Sequence, residues 1–427
     1  MAITSLDKLP PLPEAYDAAF KALKADKAVA ALMEAIKADD DATLAEQIAI
    51  CEVEAPPFKE KTRGEFLLKL FKQYGLTDAY MDEEGNVIGR RKGRGNGPVV
   101  QIAAHQDTVF PEGTDVKVRQ EGNIYRAPGI SDDTRGLASM LCIIRQLEKS
   151  GIETEGDILF TASVGEEGNG DLRGEKFIHY EKKIHVDGFI GIDGADVHRI
   201  LSGATGSHRW LISFDGPGGH SFHKFGIAPS AIHAMGRAIA HFADLQPPKD
   251  PMTTFNLGVI QGGTTVNSIA AHCEAQLDLR SGDNSHLLEL ERTVLAAFDR
   301  ALEEENARVN ATGDMLLKLT KKQIGNRPAG PSNDLCPVIL AARGAQEALC
   351  IKLTGYRSAS TDHNIPLSLG IPATTLGCGG REGNNHALNE WWERDEAWLS
   401  PQLAGLTALA LAGVAGVTKP LLPVINK

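Results

Sequence analysis

The sequence lacks several features that mark specialised classes of protein. Its six cysteines include no C-x-x-C pair, which argues against a disulfide framework or a thiolate metal site and favours reduced, structural thiols. The most apolar stretch, "LAGLTALALAGVAGV" at 403–417, is shorter than the roughly 20 residues of a membrane-spanning helix. We interpret it as a buried core helix and expect no membrane partner. Basic residues number 44 against 56 acidic ones, and the net charge of −12 disfavours nucleic acid as a partner.

Length and the first residues narrow the class further. At 427 residues the chain is long for one domain and predicts two or three hydrophobic cores. The stretch "MAITSLDKLPPLPEAYDAAF" lacks the basic start and apolar core of a secretory signal, so we expect a cytoplasmic protein. Residues 14–50 have apolar positions at helical spacing and predict helices that lead into the first domain.

Four segments share a short apolar run followed by polar residues at its C-terminal end. They are "PVVQIAAHQDTV" (98–109), "DILFTASVGEEG" (157–168), "DGFIGIDGAD" (187–196) and "IPATTLGCGGREGNNH" (371–386). Between the first two lies "DDTRGLASMLCIIRQLEKSG" (132–151), which is amphipathic at helical spacing and closed by glycine. Strand, helix and strand in this order predict an α/β fold with a mainly parallel sheet covered by helices. In such a sheet the functional site lies beyond the carboxyl ends of the strands.

The middle of the chain has a different pattern. Alternating or helical apolar spacing marks six segments in the order strand, helix, strand, strand, helix, strand: 208–222, 229–245, 253–263, 272–281, 285–306 and 315–323. This order is typical of a small α+β sandwich. We therefore predict an inserted domain over residues 205–325, with residues 1–204 and 326–427 forming the two parts of the other domain.

Imidazole and carboxylate side chains gather at the predicted carboxyl edge of the sheet. The candidates are His105 and Asp107 in "HQDTV", Asp132 in "SDDTRG", Glu166 and Glu167 in "GEEG", Asp193 in "GIDGAD" and His386 in "GNNHALNE". Each alone has an ordinary interpretation, a structural histidine or a solvated acidic turn. Together they deliver charge from five segments to one edge, and buried acids without a cation are costly. The sequence therefore predicts a metal site.

The ligand set indicates two ions. Nitrogen and oxygen ligands without thiolate suit zinc, with manganese or cobalt as alternatives. Five residues exceed the needs of one tetrahedral site, which implies two divalent ions that share a bridging carboxylate: His105, Asp132, Glu167, Asp193 and His386. We choose Asp132 as the bridge, with its neighbour Asp133 as the alternative.

Two further acids have predicted roles beside the ligands. Asp107 lies two residues beyond His105 and could accept the second N–H of the imidazole, which would fix its tautomer. A metal lowers the pKa of bound water towards about 7, and Glu166 could then take the proton and deliver it to a leaving amine. The adjacent Glu167 would bind metal, so the Glu-Glu pair has a chemical reason.

These residues resemble the co-catalytic metallopeptidases and deacylases, the family of peptidase T, carboxypeptidase G, aminoacylase and succinyl-diaminopimelate desuccinylase. The match covers most of the chain and runs in order through "HQDTV", "DDTRG", "GEEG", "GIDG", "GGH" and "GNNHALNE". The resemblance implies a zinc-exopeptidase fold with His105 and Asp193 on one ion, Glu167 and His386 on the other, and Asp132 between them. It also implies that the inserted domain is a lid, which mediates dimerisation in several members.

Two positions depart from the pattern of many relatives. Thr134 stands where many carry lysine, so the choice of Asp132 rests on the Asp-Asp-x-x-Gly spacing that peptidase T relatives share. Asp193 stands where some relatives have glutamate, and the aspartate favours peptides as substrates.

The resemblance also extends to the predicted lid. His220 in "GPGGHSF" matches a donor to the tetrahedral oxyanion, with a surface-loop histidine as the alternative. Asn267 and Arg280 match positions that contact substrate, and arginine could grip a free C-terminal carboxylate. An ion pair of Arg280 with Asp278 or Asp283 is the alternative.

The leading function is therefore a metal-dependent exopeptidase that acts on short peptides, such as a di- or tripeptidase, with a possible homodimer through the lid. An N-acyl-amino-acid deacylase would use the same chemistry. A non-catalytic metal or peptide binding protein is disfavoured because Glu166 accompanies an intact ligand set. A scaffold role for the helix at 285–306 is weaker, since packing explains that helix. His223 and His363 are expected to be structural.

Overall fold

A computed structural model describes residues 9–95 and 97–425. The first eight residues, on which the expectation of a cytoplasmic protein partly rests, lie outside the described part. The chain divides into two compact units. The larger unit comprises the residues up to Ala204 together with those from Ser332 onward, and the inserted unit is Thr205–Pro331.

The secondary structure comprises eleven α-helices and eighteen strands within the described residues. The helices are α1 Glu14–Ala25, α2 Lys27–Ala38, α3 Asp40–Cys51, α4 Lys61–Gln73, α5 Thr134–Ser150, α6 Arg173–Lys176, α7 Ala231–Phe242, α8 Asn284–Arg308, α9 Pro337–Ala348, α10 Asn364–Ser368 and α11 Leu399–Ala412. The first nine strands are β1 Tyr80–Met81, β2 Val87–Arg91, β3 Val99–His105, β4 Arg119–Glu121, β5 Ile124–Arg126, β6 Asp157–Ser163, β7 Gly188–Ile192, β8 Arg199–Ala204 and β9 Gly206–Asp215. The others are β10 Gly219–His220, β11 Thr253–Gly262, β12 Ser268–Ile269, β13 His272–Ser281, β14 Lys318–Arg327, β15 Gly355–Ala359, β16 Ala373–Leu376, β17 Arg381–Gly383 and β18 Trp391–Glu393.

An eight-stranded sheet forms the centre of the larger unit, in the order β1-β2-β6-β3-β7-β16-β8-β15. Its middle strands β6, β3, β7 and β16 are parallel, whereas β2 joins β6 and β8 joins β16 in antiparallel fashion. The strands predicted at 98–109, 157–168, 187–196 and 371–386 correspond to these four parallel strands. The predicted mainly parallel sheet with covering helices is confirmed.

Helices cover this sheet and bury their apolar faces in a shared hydrophobic core. The predicted helix at 132–151 is α5, which begins after the N-cap Asp133 and ends at Gly151, whose φ of 67° is left-handed. The first ten residues of the core helix predicted at 403–417 lie in α11, where every residue from Ser400 to Ala412 is buried. The helix ends at Ala412, five residues earlier than predicted. A helix that is apolar on all sides is expected inside a large core, and α11 packs with α5, α9 and the sheet.

The inserted unit is an antiparallel sheet in the order β11-β13-β9-β14 with α7 and α8 packed on one face. The six predicted segments appear as β9, α7, β11, β13, α8 and β14 in the predicted order. Its second boundary differs from the prediction, which ended the domain at residue 325. Strand β14 continues to pair with β9 as far as Arg327, opposite Ser207, and the backbone at Ala329 packs on Gly206.

Two expectations about the environment of the chain can be compared with the structure. Among the described residues, no helix combines the length and apolar character that crossing a membrane requires. All six cysteines lie in the described part and none is in a disulfide; five are buried and Cys350 is exposed.

His363 is a fully buried structural histidine. Its Nδ1 lies 2.8 Å from the hydroxyl of Thr375 and its Nε2 lies 3.1 Å from the carbonyl oxygen of Gly203. Burial lowers the pKa of His363 to about 4, although the hydrogen bond with Gly203 acts in the opposite direction. The side chain is therefore neutral in the folded protein at neutral pH.

This burial predicts an acid-sensitive contribution to stability. An unfolded histidine takes up a proton below its ordinary pKa of 6.5, which the folded His363 cannot do until pH falls to about 4. As pH falls from 6.5 to about 4, the free energy of unfolding should decrease by up to about 3 kcal/mol compared with a variant that has an uncharged side chain at this position. We expect His363→Gln to be less stable than the wild type at pH 7.5. The gap in melting temperature should narrow steadily towards pH 5, and a constant gap would contradict the prediction.

Candidate metal centre

Three neighbouring parallel strands end at the same edge of the large sheet. His105, the last residue of β3, pairs with Ser163, the last residue of β6. Glu166 and Glu167 follow Ser163 after two residues, and Asp193 comes directly after β7, the other neighbour of β3. Because parallel strands align their carboxyl ends, these four ionisable side chains meet at one edge.

The carboxylate of Asp132 lies between two histidines. Its Oδ1 is 3.0 Å from Nε2 of His105, and its Oδ2 is 3.0 Å from Nε2 of His386. Nε2 of His386 is also 2.7 Å from Oε1 of Glu167. A single carboxylate whose two oxygens face two different imidazoles has the geometry of a bridging ligand.

The predicted ligands form two triplets that share Asp132. In each triplet the candidate ligand atoms lie within 4.8 Å of one another: His105, Asp132 and Asp193 in the first, and Asp132, Glu167 and His386 in the second. Three carboxylates and two imidazoles provide only nitrogen and oxygen donors, which suit divalent ions of the zinc and manganese type. The residues therefore fit two divalent ions, and the triplets match the sets that the family resemblance implies.

The electrostatics of the site show the same need for positive charge. Hydrogen bonds with Asp132 and Glu167 raise the pKa of His386 to about 11. Burial, together with the charge of Asp132, raises the pKa of Asp193 to about 6. Both shifts reflect the crowding of negative charge at this site, which a bound cation would offset.

The carboxylate of Asp107 holds the backbone of the Glu-Glu pair. Its Oδ1 accepts the N–H of Glu166 at 3.0 Å, and its Oδ2 accepts the N–H of Glu167 at 2.9 Å. The predicted partner of this carboxylate was the second imidazole nitrogen of His105. That nitrogen instead contacts the carbonyl oxygen of Asp107 at 3.1 Å and lies 3.7 Å from Oδ1. Asp107 thus orients the histidine through its main chain and the two glutamates through its side chain.

Asp133 faces away from the two triplets. Its Oδ1 accepts the N–H of Gly136 at 3.1 Å as the cap of α5, and its Oδ2 accepts the N–H of His105 at 3.1 Å. A Cβ at Gly136 would lie 2.2 Å from Oδ1, which explains the glycine of the "DDTRG" stretch. Thr134 of the same stretch is buried, and its hydroxyl donates to the carbonyl oxygen of Gly129 at 2.7 Å.

His386 reaches the site by a route that the sequence did not indicate. The strand β16 ends at Leu376, and His386 lies ten residues later in the connection between β17 and β18. These two strands form a small antiparallel sheet with β5 and β4. The φ of His386 is 65°, in the left-handed region. The small sheet, rather than a strand end of the large sheet, therefore delivers this ligand candidate.

Glu390 is a buried acid that sequence reasoning missed. Its carboxylate accepts the N–H groups of Gly129 at 3.0 Å, Ser131 at 2.9 Å and Asp132 at 3.2 Å. Burial raises the pKa of Glu390 to about 7. The hydroxyl of Ser131 also donates to Glu382 at 2.6 Å. The only signal in the sequence is an acid four residues after the predicted histidine ligand.

Sequence reasoning also missed Thr361 and Asp362, which contact Asp193 and the end of β6. The hydroxyl of Thr361 donates to Oδ2 of Asp193 at 3.0 Å, and the next residue, Asp362, accepts from the hydroxyl of Ser163 at 2.5 Å. Burial raises the pKa of Asp362 to about 8. One loop therefore contacts a predicted ligand and the end of β6.

In the inserted unit the structure brings together only two of the three predicted residues. His220 pairs with the residue that follows Asn267, so these two lie close together. Arg280 is near the far end of β13, roughly 26 Å along the strand from His272. Its Nε donates to Asp278 at 2.7 Å, which is the alternative ion pair. Binding of substrate by Asn267 and Arg280 stays a prediction.

A cavity of about 800 Å³ in the larger unit is lined by His386 and its surroundings. Phe110 and Leu388 contribute apolar surface, and Lys117, Arg119 and Arg126 contribute charge. Each of these basic side chains pairs with an acidic neighbour. The cavity therefore provides room for a small substrate beside a predicted ligand, with its charges largely compensated.

Comparison with known proteins finds similarity to two peptidase families. The model of the peptidase dimerisation domain matches residues 202–306, and the model of peptidase family M28 matches residues 86–213. Carboxypeptidase G2 of Pseudomonas sp. (strain RS-16) is 26% identical over 230 residues, which are 52% of this chain and 54% of that protein. A putative [LysW]-lysine/[LysW]-ornithine hydrolase of Pyrococcus furiosus is 34% identical over 119 residues, 28% of this chain and 32% of that protein. The chain thus spans only part of the length of these relatives.

Solved structures share the fold over nearly their whole length. The aminopeptidase PepT of Bacillus cereus has a TM-score of 0.70 at 23% identity and covers 86% of this chain and 96% of its own. The YXEP protein of Bacillus subtilis, described as a dinuclear metal binding peptidase from the M20 family, has a TM-score of 0.62 at 18% identity, with 88% and 99% covered. The fold and the sequence matches are thus similar to those of metal-dependent peptidases. The predicted resemblance to co-catalytic metallopeptidases and deacylases is confirmed.

The contrast between Asp132 and Asp133 leads to a test of the bridge. Asp132→Asn should reduce bound metal from two ions towards none, because both triplets contain this carboxylate. Asp133→Asn should keep both ions and lower the melting temperature, since loss of a helix cap costs about 1 kcal/mol. Metal content by mass spectrometry and thermal unfolding measure the two effects. Metal loss confined to Asp133→Asn would move the bridge to Asp133.

Proposed function

We propose that the protein is a metal-dependent exopeptidase that cleaves the amide bond of short peptides, such as di- or tripeptides. The observation that carries this proposal is the shared carboxylate of Asp132 between two ligand triplets, with Glu166 beside them. His105, Glu166 and Glu167 also have ligand atoms within 4.8 Å of one another. This arrangement supports a general base next to a site for two cations.

The proposed ligands are His105, Asp132 and Asp193 for one ion and Asp132, Glu167 and His386 for the other. Zinc suits this donor set best, and manganese or cobalt would also fit. When bound, the two ions would acidify water and polarise the scissile carbonyl.

Glu166 is the proposed general base and acid. Asp107 fixes its backbone, so its carboxylate is held beside the ligands. From there Glu166 would accept a proton from the attacking water and deliver it to the leaving amine. Glu167 is held by the same carboxylate, which keeps the two glutamates in separate roles.

His220 is the proposed donor to the oxyanion. Its Nδ1 accepts the N–H of Phe222 at 3.3 Å, which leaves Nε2 to carry the proton. A neutral histidine with its proton on Nε2 can donate a hydrogen bond to a developing negative oxygen.

Deacylation of N-acyl amino acids is the second candidate. It is supported by the similarity to the [LysW]-lysine/[LysW]-ornithine hydrolase of Pyrococcus furiosus. The two activities need the same residues and differ only in the group on either side of the scissile amide.

The inserted unit is the proposed dimerisation surface. Its edge strand β11, "TTFNLGVIQG", carries no charged residue, and Ile260 is 52% exposed. The opposite edge, β14, carries lysines 318, 321 and 322, which protect a strand edge from pairing. We propose a homodimer through β11. We also propose a cytoplasmic location, since the absence of disulfides among six cysteines suits a reducing compartment.

Replacement of Glu166 tests the proposed activity. Glu166→Gln should retain both ions, while hydrolysis should fall by about 10²–10⁴-fold, the range for loss of a general base. Purified protein loaded with zinc, manganese or cobalt is assayed against di- and tripeptides and N-acyl amino acids, with product masses read. The masses identify the bond cleaved and separate peptidase from deacylase. Glu148→Gln, at the far end of α5, serves as the control, and unchanged turnover in Glu166→Gln would sink the mechanism.

The dimer proposal predicts a difference between the two sheet edges. Ile260→Lys should shift the wild-type dimer to monomer, because a buried lysine at a strand edge opposes pairing. Thr320→Lys on β14 should leave the dimer intact. Light scattering after size exclusion at micromolar concentration reports the mass. A monomeric wild type, or the same mass for all three proteins, would count against this surface.

A further inference from the structure

The carboxylate of Glu390 is held by three hydrogen bonds beside the candidate metal centre. Its side chain is fully buried, and its oxygens accept three backbone N–H groups from the turn that contains Asp132. Charge-assisted hydrogen bonds from backbone N–H groups to a buried carboxylate are among the stronger ones in proteins. The position of the Asp132 backbone therefore depends on Glu390.

Glu390 is itself held firmly. Its N–H donates to the carbonyl oxygen of Ala387 at 3.0 Å, and β18 begins at the next residue and pairs with β5. Trp392 in β18 is fully buried and donates through Nε1 to Gly379 at 2.8 Å. The guanidinium of Arg135 lies 5.1 Å from the Trp392 ring centroid. Glu390 is thus held in place by the small sheet of β4, β5, β17 and β18.

Hydrogen bonds connect Glu390 to Asp132 and Asp132 to His386 across the candidate centre. Glu390 binds the backbone of Asp132, and the side chain of Asp132 contacts His386 at 3.0 Å. His386 lies four residues before Glu390 in the same connection. Glu390 therefore links the backbone of Asp132 to the segment that carries His386 without contacting either side chain, and the hydrogen bond from Ser131 to Glu382 is a second link between this turn and the small sheet.

We propose that Glu390 is a positioning residue that sets the affinity for the ion held by Asp132, Glu167 and His386. This inference rests on the proposed metal centre. The other triplet depends less on Glu390, because His105 and Asp193 are held at the ends of β3 and β7 and Asp193 is bound by Thr361. Loss of Glu390 should therefore weaken one ion more than the other.

The experiment compares two isosteric variants of buried acids. Glu390→Gln places an amide N–H₂ against backbone N–H groups. Asp187→Asn makes the same change at a carboxylate that accepts the N–H groups of Val99 at 2.7 Å and Ile425 at 2.6 Å. Asp187 precedes β7, whereas Asp193 follows it, so the control lies roughly 20 Å from the centre.

Stepwise zinc and cobalt affinities are measured by calorimetry and chelator competition, and the absorption spectrum of the cobalt protein reports each site. Glu390→Gln should bind one ion about 10–100-fold more weakly, the range for loss of an outer-shell partner, and change one set of cobalt bands. The other ion, and both ions of Asp187→Asn, should bind as in the wild type. Glu390→Asp keeps the charge with a shorter reach and should show a smaller effect on the same ion.

Two unchanged affinities in Glu390→Gln would overturn the inference, and so would equal weakening in the Asp187→Asn control. If Glu390→Gln does not fold, Glu390→Asp decides: selective weakening of one ion supports the role, and wild-type affinities overturn it. A wild type that binds no divalent ion would instead refute the proposed metal centre. The two failures are therefore distinguishable.

Discussion

The crowding of carboxylates at one edge of the large sheet is the main physical constraint on the candidate metal centre. Asp132, Asp193 and Glu167 approach two histidines closely enough that each triplet of ligand atoms fits within 4.8 Å. Such crowding is unfavourable without positive charge, and the raised pKa values of His386 and Asp193 express this. Divalent ions are the natural compensation, and the chemistry proposed for the protein follows from them.

The surrounding structure is organised to hold these acids in place. Asp107, Asp133 and Glu390 each use a buried carboxylate to accept backbone N–H groups from segments that carry ligands. A carboxylate that binds main chain fixes a loop without itself entering the site. Three such anchors come from three different parts of the chain, so the geometry of the centre is distributed over the whole larger unit.

Much of the fold was predictable because it follows from periodicity. The parallel strands, the capped helix α5, the buried helix α11 and the order of elements in the inserted unit follow from apolar spacing and from turn or cap residues. The second boundary of the inserted unit was not, because pairing of β14 with β9 as far as Arg327 is a long-range contact. The small sheet of β4, β5, β17 and β18 was missed since its strands are three residues long.

For the candidate site, the sequence by itself determined which residue types reach the carboxyl edge, because each candidate on β3, β6 and β7 lies at or just beyond the end of its strand. Only the tertiary structure decided which oxygens face which partners. In the structure, Asp132 contacts His386 whereas Asp133 caps α5, and the carboxylate of Asp107 binds the backbone of the two glutamates. His386 lies in the connection between two strands of the small sheet, and Arg280 pairs with Asp278. The hydrogen bonds of Glu390 to the Asp132 turn are likewise visible only in the structure. These outcomes depend on contacts between residues far apart in the chain, which local spacing does not encode.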